Sequence, residues 1–275
     1  MKVIQVSSEF FDIKATLTCG QIFRYEKLDN GYRVFSADKD CFVENINDKI
    51  YIHTSYPEYF YNFFDLDTNY AKIYNFATSQ KSQVIVNASK MAKGIRILRQ
   101  DAYEMIVSFI ISQNNNIPKI KKSIEYICAN AGTQKISKHG KFYTFPTKEQ
   151  LYDKDITFYK DAGLGYRAEY LYNFIKTLKN GFDVDTLKNK SKDEIYDKII
   201  SIKGVGEKVA NCILLFGFYK TESFPVDTWI EKIYKEDFKG SLTDRVKMTK
   251  YFINEFKEYS GYIQQYLFYY KRSVK

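Results

Sequence analysis

The chain has 275 residues, 45% of them hydrophobic, and its 25 tyrosines and 22 phenylalanines need a core to sit in, which rules out a disordered protein. Its longest largely apolar stretch, Met105 to Ile111, is far short of the ~20 residues of a spanning helix, which rules out a membrane protein. The formal net charge of +9 suits a polyanionic partner, but lysine dominates the basic residues as an AT-rich coding sequence would dictate, so charge permits DNA binding without establishing it.

At the start of the chain, polar residues interrupt Met1 to Glu9 too early for a secretory signal. Gln21-Ile22-Phe23-Arg24-Tyr25 then alternates, Asp29-Asn30-Gly31 offers a turn, and Tyr32 to Phe35 alternates again. Cys41 to Glu44, the polar turn Asn45 to Asp48, and Ile50 to His53 repeat the theme, which predicts an antiparallel sheet of short strands. Pro57 closes it, and the aromatic run Tyr59 to Phe64 leads into helix. From about residue 84 the period becomes helical. Asp101 and Glu104 resemble a capping box ahead of an apolar face, and the polar run Ser112 to Asn116 ends that helix. Pro118 opens the next, which runs to Gly132; residues 133–146 read as a loop. Helical patterns follow at 149–161, 167–180, 192–201, 207–218, 228–237 and 244–271. The chain is therefore expected to be α+β, with a sheet unit over 1–83 and a helical unit over 84–275. The four cysteines (Cys19, Cys41, Cys128, Cys212) form no CxxC pair and there are two histidines, so no disulfide framework, metal cluster, catalytic metal or cofactor is expected, and the expected location is the cytoplasm.

The richest stretch is a helix–hairpin–helix over 192–218. Ser191 with Glu194 forms a capping box, and Ile202-Lys203-Gly204-Val205-Gly206 turns the chain into a second helix from Glu207. Gly204 and Gly206 allow a tight turn whose outward amides, at a helix N-terminus, suit a phosphate oxygen and close approach of a DNA backbone. By themselves they describe equally an ordinary corner. Lys208 sits in the first turn, where the macrodipole favours a neutral, nucleophilic amine, and Cys212 lies on the same face. Asp227, after Pro225-Val226, reads as an N-cap that stays ionised. An amine and a fixed carboxylate at two helix ends can attack a sugar C1′, the carboxylate stabilising oxocarbenium charge. A solvated lysine and a plain cap are the alternative at this point.

Ile202 through Ala210, together with Pro225-Val226-Asp227, resembles the helix–hairpin–helix DNA glycosylase superfamily. The resemblance implies that Lys208 is the Schiff-base nucleophile and Asp227 the essential carboxylate, at the separation shown by lyase-competent members. No cysteine follows Cys212, which sets aside the iron–sulfur branch. Thr18-Cys19-Gly20-Gln21-Ile22-Phe23-Arg24, Asn114-Asn115-Asn116-Ile117 and Ala162 through Ala168 resemble segments of the eukaryotic-type 8-oxoguanine DNA glycosylases, found also in bacteria, in the family's order and over nearly the whole chain.

That resemblance implies a TATA-binding-protein-like sheet domain before a helical glycosylase domain, and a monomer acting on duplex DNA that contains 8-oxoguanine, in or near the nucleoid. It implies that Asn114 fills the gap left by the flipped lesion, that Arg167 reads the orphaned cytosine, and that Tyr166 wedges the duplex. The Gly20 carbonyl would meet the N7 hydrogen that guanine lacks; a lost bond plus repulsion there is on the order of a few kcal/mol. Cys212 and Phe268 would sandwich the base and Gln264 would bond its Watson–Crick edge. Hairpin carbonyls near Ile200, Ile202 and Val205 would hold a structural cation. Two positions depart from the family. Lys119 stands where an arginine is usual and cannot make its forked contact, which implies a weaker preference for cytosine opposite the lesion. Trp229 replaces a histidine two residues after the aspartate, and would pack near the phosphate or flipped nucleotide.

Overall fold

Alternating apolar and polar residues between short turns build an antiparallel sheet in the computed structural model of the protein, which describes residues 2–274. Strands β1 (Lys2–Ser7), β2 (Tyr25–Leu28), β3 (Gly31–Ser36), β4 (Lys39–Ile46) and β5 (Lys49–Thr54) pair in the order β1-β5-β4-β3-β2. Asp29 and Asn30 turn β2 into β3, as expected, leaving Leu28 opposite Gly31. Val34, Cys41, Val43, Ile50 and Ile52 are buried beneath Phe60 and Phe63 of α2 (Pro57–Phe63) and the adjoining Phe64.

The structure adds to that reading or departs from it at three places. Gln21–Arg24 is not strand; the ladder begins at Tyr25, and Gln21 is instead a buried clasp. Its Nε2 donates to the carbonyls of Thr16 (3.1 Å) and Arg96 (2.7 Å), and its Oε1 accepts from Leu98 N (2.9 Å). The first residues form β1, an edge strand without a fully buried position and hence without a clear pattern. Helix α1 (Ile13–Thr18), capped by Asp12, was not anticipated: Ile13 and Leu17 join the sheet core while Ala15 and Cys19 join the helical core. A helix buried on two sides has no polar stripe to announce it.

The helical part continues with α3 (Tyr70–Thr78), α4 (Gln83–Met91), α5 (Ala102–Ser112) and α6 (Ile117–Ala131). Asp101 caps α5 through Glu104 N at 2.9 Å, but the box is only half made. The Glu104 carboxylate turns away to Ala37 N (2.7 Å) and Arg24 (3.5 Å), joining helix to sheet. The expected loop at 133–146 contains a hairpin, β6 (Gln134–Ser137) and β7 (Gly140–Tyr143). It is held by Arg33, which donates to the Lys141 and Gly140 carbonyls at 3.1 and 2.9 Å, a tertiary anchor that local pattern cannot reveal. The pattern at 149–161 is two helices, α7 (Lys148–Leu151) and α8 (Ile156–Asp161), because Asp155 caps a new start through Phe158 N. Next come α9 (Arg167–Lys179), α10 (Lys192–Ile200), α11 (Glu207–Gly217) and α12 (Thr228–Glu236). The pattern at 244–271 splits into α13 (Arg245–Phe256) and α14 (Ser260–Ser273), broken at Lys257 with φ 51°. Among the described residues no helix is long and apolar enough to cross a membrane.

One buried polar hub joins these parts. Asp65, fully buried after α2 with φ 55°, takes Arg99 (2.5 Å) and Thr68 (2.7 Å) on Oδ1, and the Tyr70 and Tyr219 hydroxyls (2.7 and 2.8 Å) on Oδ2. Tyr219 also lies 2.9 Å from the Tyr262 hydroxyl, so the hub reaches the end of α11 and the start of α14.

Candidate active site

Four elements converge on the site: the α10–α11 hairpin, the N-terminus of α12, the outer half of α14, and the turn after α1. The Ser191–Glu194 capping box that starts α10 is fully formed. The two hairpin glycines serve different ends. Gly204 has φ +89°, and a Cβ there would lie 2.4 Å from the Tyr170 ring of α9. Its missing side chain makes room for Tyr170, a packing role beside the expected one at the DNA backbone. Gly206, the exposed N-cap of α11, has φ −98°, and a Cβ there would meet nothing within 4 Å, so it is the open position. Gly204→Ala should therefore lower stability by about 3 kcal/mol through overlap and strain. Gly206→Ala should leave unfolding within about 0.5 kcal/mol and weaken only duplex binding. Urea unfolding and DNA titration of the two variants check this contrast.

Lys208, half-buried in the first turn of α11, has Nζ 5.6 Å from the Phe109 ring centroid and lies one helical turn before Cys212, near enough for its charge to act on that thiol. Burial pushes that thiol up, the Lys208 charge pulls it back, and the Asp227 carboxylate pushes it up again. The lysine and the aspartate thus act on one sulfur and share a neighbourhood. Asp227 caps α12, as expected, with Oδ1 accepting from Trp229 N and Ile230 N at 3.0 Å each. Its Oδ2 has no hydrogen bond among the described residues. Cap amides therefore fix the carboxylate while one oxygen stays available.

Gly20 (φ +91°) lies against α14, where a Cβ would be 3.3 Å from Cε1 of Phe268. The Gln21 clasp on one side, and Gln265 Nε2 on the Cys19 carbonyl (2.9 Å) on the other, hold it there. One turn before Phe268, Gln264 is buried and its Oε1 has no hydrogen-bond partner. An orphaned buried acceptor costs roughly 1–3 kcal/mol, which a ligand donor would recover. The start of α14 is pressed onto α11, since a Cβ at Gly261 would fall 2.3 Å from Leu215 Cδ1, so the walls bearing Gln264 and Cys212 are rigidly joined.

A second group lies on the loop after α5. Asn114 is exposed at φ 43°, Tyr166 is 52% exposed, and Lys119 is exposed in the first turn of α6. Arg167 is brought to Asn114 but is 9% exposed and turned inward. Its Nε, Nη1 and Nη2 donate to the carbonyls of Gln113, Leu164 (3.2 Å) and Asn114 (2.6 Å). In this conformation Arg167 holds the Asn114 turn, and reading a base would require it to exchange those carbonyls. Tyr170, missed in the sequence, links the two groups: it packs under Gly204 and meets Tyr166 edge-on at 5.7 Å. Its place one helical turn after Tyr166 was the available signal.

Residues 3–106 match the sequence profile of the 8-oxoguanine DNA glycosylase N-terminal domain. The chain is 30% identical over 225 residues to the "Probable N-glycosylase/DNA lyase" of Methanothermobacter thermautotrophicus, covering 74% of this chain and 71% of that one. It is 34% identical over 162 residues to the N-glycosylase/DNA lyase of Saccharomyces cerevisiae, covering 54% and 43%. The Clostridium acetobutylicum 8-oxoguanine glycosylase/lyase, solved with double-stranded DNA bearing cytosine opposite 8-oxoguanine, superposes with a TM-score of 0.92 at 30% identity over 100% of this chain and 98% of that one.

Proposed function

Since the chain belongs to the N-glycosylase/DNA lyase family of 8-oxoguanine glycosylases, we propose that Lys208, Asp227 and the Gly20–Gln264–Phe268 pocket carry out base excision and strand cleavage at 8-oxoguanine in duplex DNA. The observation that carries the assignment is the shared neighbourhood of Lys208 and Asp227 around Cys212. Lys208 Nζ bonds to C1′ as the glycosidic C1′–N bond breaks and the departing base takes a proton. The free Oδ2 of Asp227 faces the charge that develops on the sugar. The C1′–O4′ bond then opens to give the iminium, with O4′ taking a proton. A C2′ proton is removed, and the C3′–O bond breaks to nick the strand 3′ to the lesion.

The flipped base stacks on Phe268, with Gln264 Oε1 accepting from its Watson–Crick edge and the Gly20 carbonyl accepting the N7 hydrogen. Cys212 forms the other side of the slot. Asn114, Tyr166 and Lys119 face the duplex gap, Gly206 and Trp229 the phosphates. The Ile200 and Val205 carbonyls accept no hydrogen bond among the described residues and that of Ile202 accepts one, from Val205 N at 2.9 Å, so the hairpin fits a structural cation that would add positive charge toward a phosphate. We place the division between sheet and glycosylase units near residue 83, and the enzyme at work as a monomer on cellular DNA.

Borohydride added to the wild-type protein with an 8-oxoguanine·cytosine duplex is expected to give a covalent protein–DNA crosslink. Undamaged and 3-methyladenine duplexes should give none, and the same outcome on all three duplexes would overturn the proposal. Repeating the excision with each opposite base reads the contribution of Lys119: a several-fold rather than hundred-fold preference for cytosine is expected, about 1 kcal/mol.

A further inference from the structure

Seven arginines occur in the chain, and six are fixed by protein partners. Arg24, Arg33, Arg96, Arg99 and Arg167 bond to carbonyls or carboxylates, and Arg245 pairs with Glu231. Arg272 makes no hydrogen bond and no ion pair among the described residues, yet it is only half-exposed. Its guanidinium carbon lies over the Phe268 ring, 5.1 Å from the centroid, and its Nη1 would be 3.4 Å from a Cβ on Gly20. Gln264, Phe268 and Arg272 follow at i, i+4 and i+8 along one face of α14. That face therefore presents, in line, an unsatisfied buried acceptor, an aromatic plate and an unpaired cation.

We infer that Arg272 is a further substrate-contacting residue, donating to an oxygen of the extrahelical nucleotide at the end of the pocket away from Gln264. A line of eight residues on a helix spans about 12 Å, longer than a purine, so a base whose Watson–Crick edge meets Gln264 brings its opposite edge or its phosphate to Arg272. Beside Gly20, the oxygens in reach of a forked donor are the carbonyls flanking N7–H of the oxidised base and the phosphate of the flipped nucleotide. Stacking on Phe268 holds the fork in plane before substrate arrives. This inference rests on the proposed pocket, and the i+4 spacing from Phe268 was its only mark in the sequence.

The test uses the full chain with Lys208→Gln to prevent turnover, and measures affinity for an 8-oxoguanine duplex and for a tetrahydrofuran duplex, which keeps the phosphates but has no base. Arg272→Gln should weaken 8-oxoguanine binding about tenfold, with Arg272→Lys recovering part of the loss. A base carbonyl as acceptor leaves tetrahydrofuran binding unchanged. A phosphate as acceptor weakens both duplexes alike and lowers the salt slope by about one. Either result supports the inference. Unchanged affinity for both duplexes overturns it, as does equal loss in Arg272→Lys and Arg272→Gln with a lowered melting temperature, which marks a packing role. Wild-type crosslinking to 8-oxoguanine DNA, run alongside, separates this failure from failure of the pocket itself.

Discussion

Lys208→Gln is expected to abolish the borohydride crosslink and to slow base release by at least about three orders of magnitude, while leaving affinity for 8-oxoguanine duplex within a few-fold. Glutamine has a similar reach and a comparable helix propensity, and Lys208 is only half-buried, so unfolding should shift by no more than about 0.5 kcal/mol. What is lost is the amine that bonds to C1′. A structural readout accompanies the kinetic one. Burial raises the Cys212 thiol and Lys208 offsets part of that rise. Removing the lysine moves the thiol further up, so less thiolate exists at a given pH and alkylation of Cys212 in the native protein slows. Asp227→Asn makes the complementary comparison: an asparagine still caps α12 but carries no charge, so stability holds while excision falls. A crosslink that persists in Lys208→Gln would transfer the nucleophile to another amine and remove the basis of the site.

The hairpin, its lysine and the capping aspartate were legible because each is a local device. A capping box, a glycine turn and an N-cap are fixed by residues within a few positions of one another, and the structure has them where the sequence put them. Elements fixed from a distance were not legible. The β6–β7 hairpin depends on Arg33, more than a hundred residues earlier, and α1 is hidden by burial on two sides. The same limit applies within the site. Two glycines that look alike in the sequence differ because Tyr170, from another helix, lies against only one of them. Arg167 carries a motif, but its present partners are carbonyls that no motif specifies. Gln21 read as a strand position because alternation cannot distinguish an inward amide in a ladder from one that clasps three separate carbonyls and amides.

The largest loss of stability is expected at Asp65, outside the pocket. Asp65→Ala removes one partner of half-buried Arg99, which keeps Asp67 and Asn62, and an acceptor of the Tyr70 and Tyr219 hydroxyls, all three at 2.5–2.8 Å. Losing these three buried bonds together costs about 3–5 kcal/mol, and alanine adds roughly 1 kcal/mol at a positive φ. For a chain of this size that lowers the melting temperature by roughly 8–24 °C. Asp65→Asn keeps an acceptor oxygen and tolerates the left-handed backbone, so it should lose clearly less; the gap between the two variants measures how much depends on acceptor and backbone rather than on charge. Because burial and the neighbouring Asp65 carboxylate raise the Tyr70 and Tyr219 hydroxyls, both remain donors at neutral pH, and the hub persists across the range in which the enzyme is assayed. The hub holds the end of α11 and the start of α14, the helices that bear Lys208 and Gln264. Asp65→Ala should therefore crosslink normally well below its lowered melting temperature and lose crosslinking with a steeper temperature dependence than wild type. Equal melting of Asp65→Ala and wild type would show that the two walls are joined by apolar packing alone.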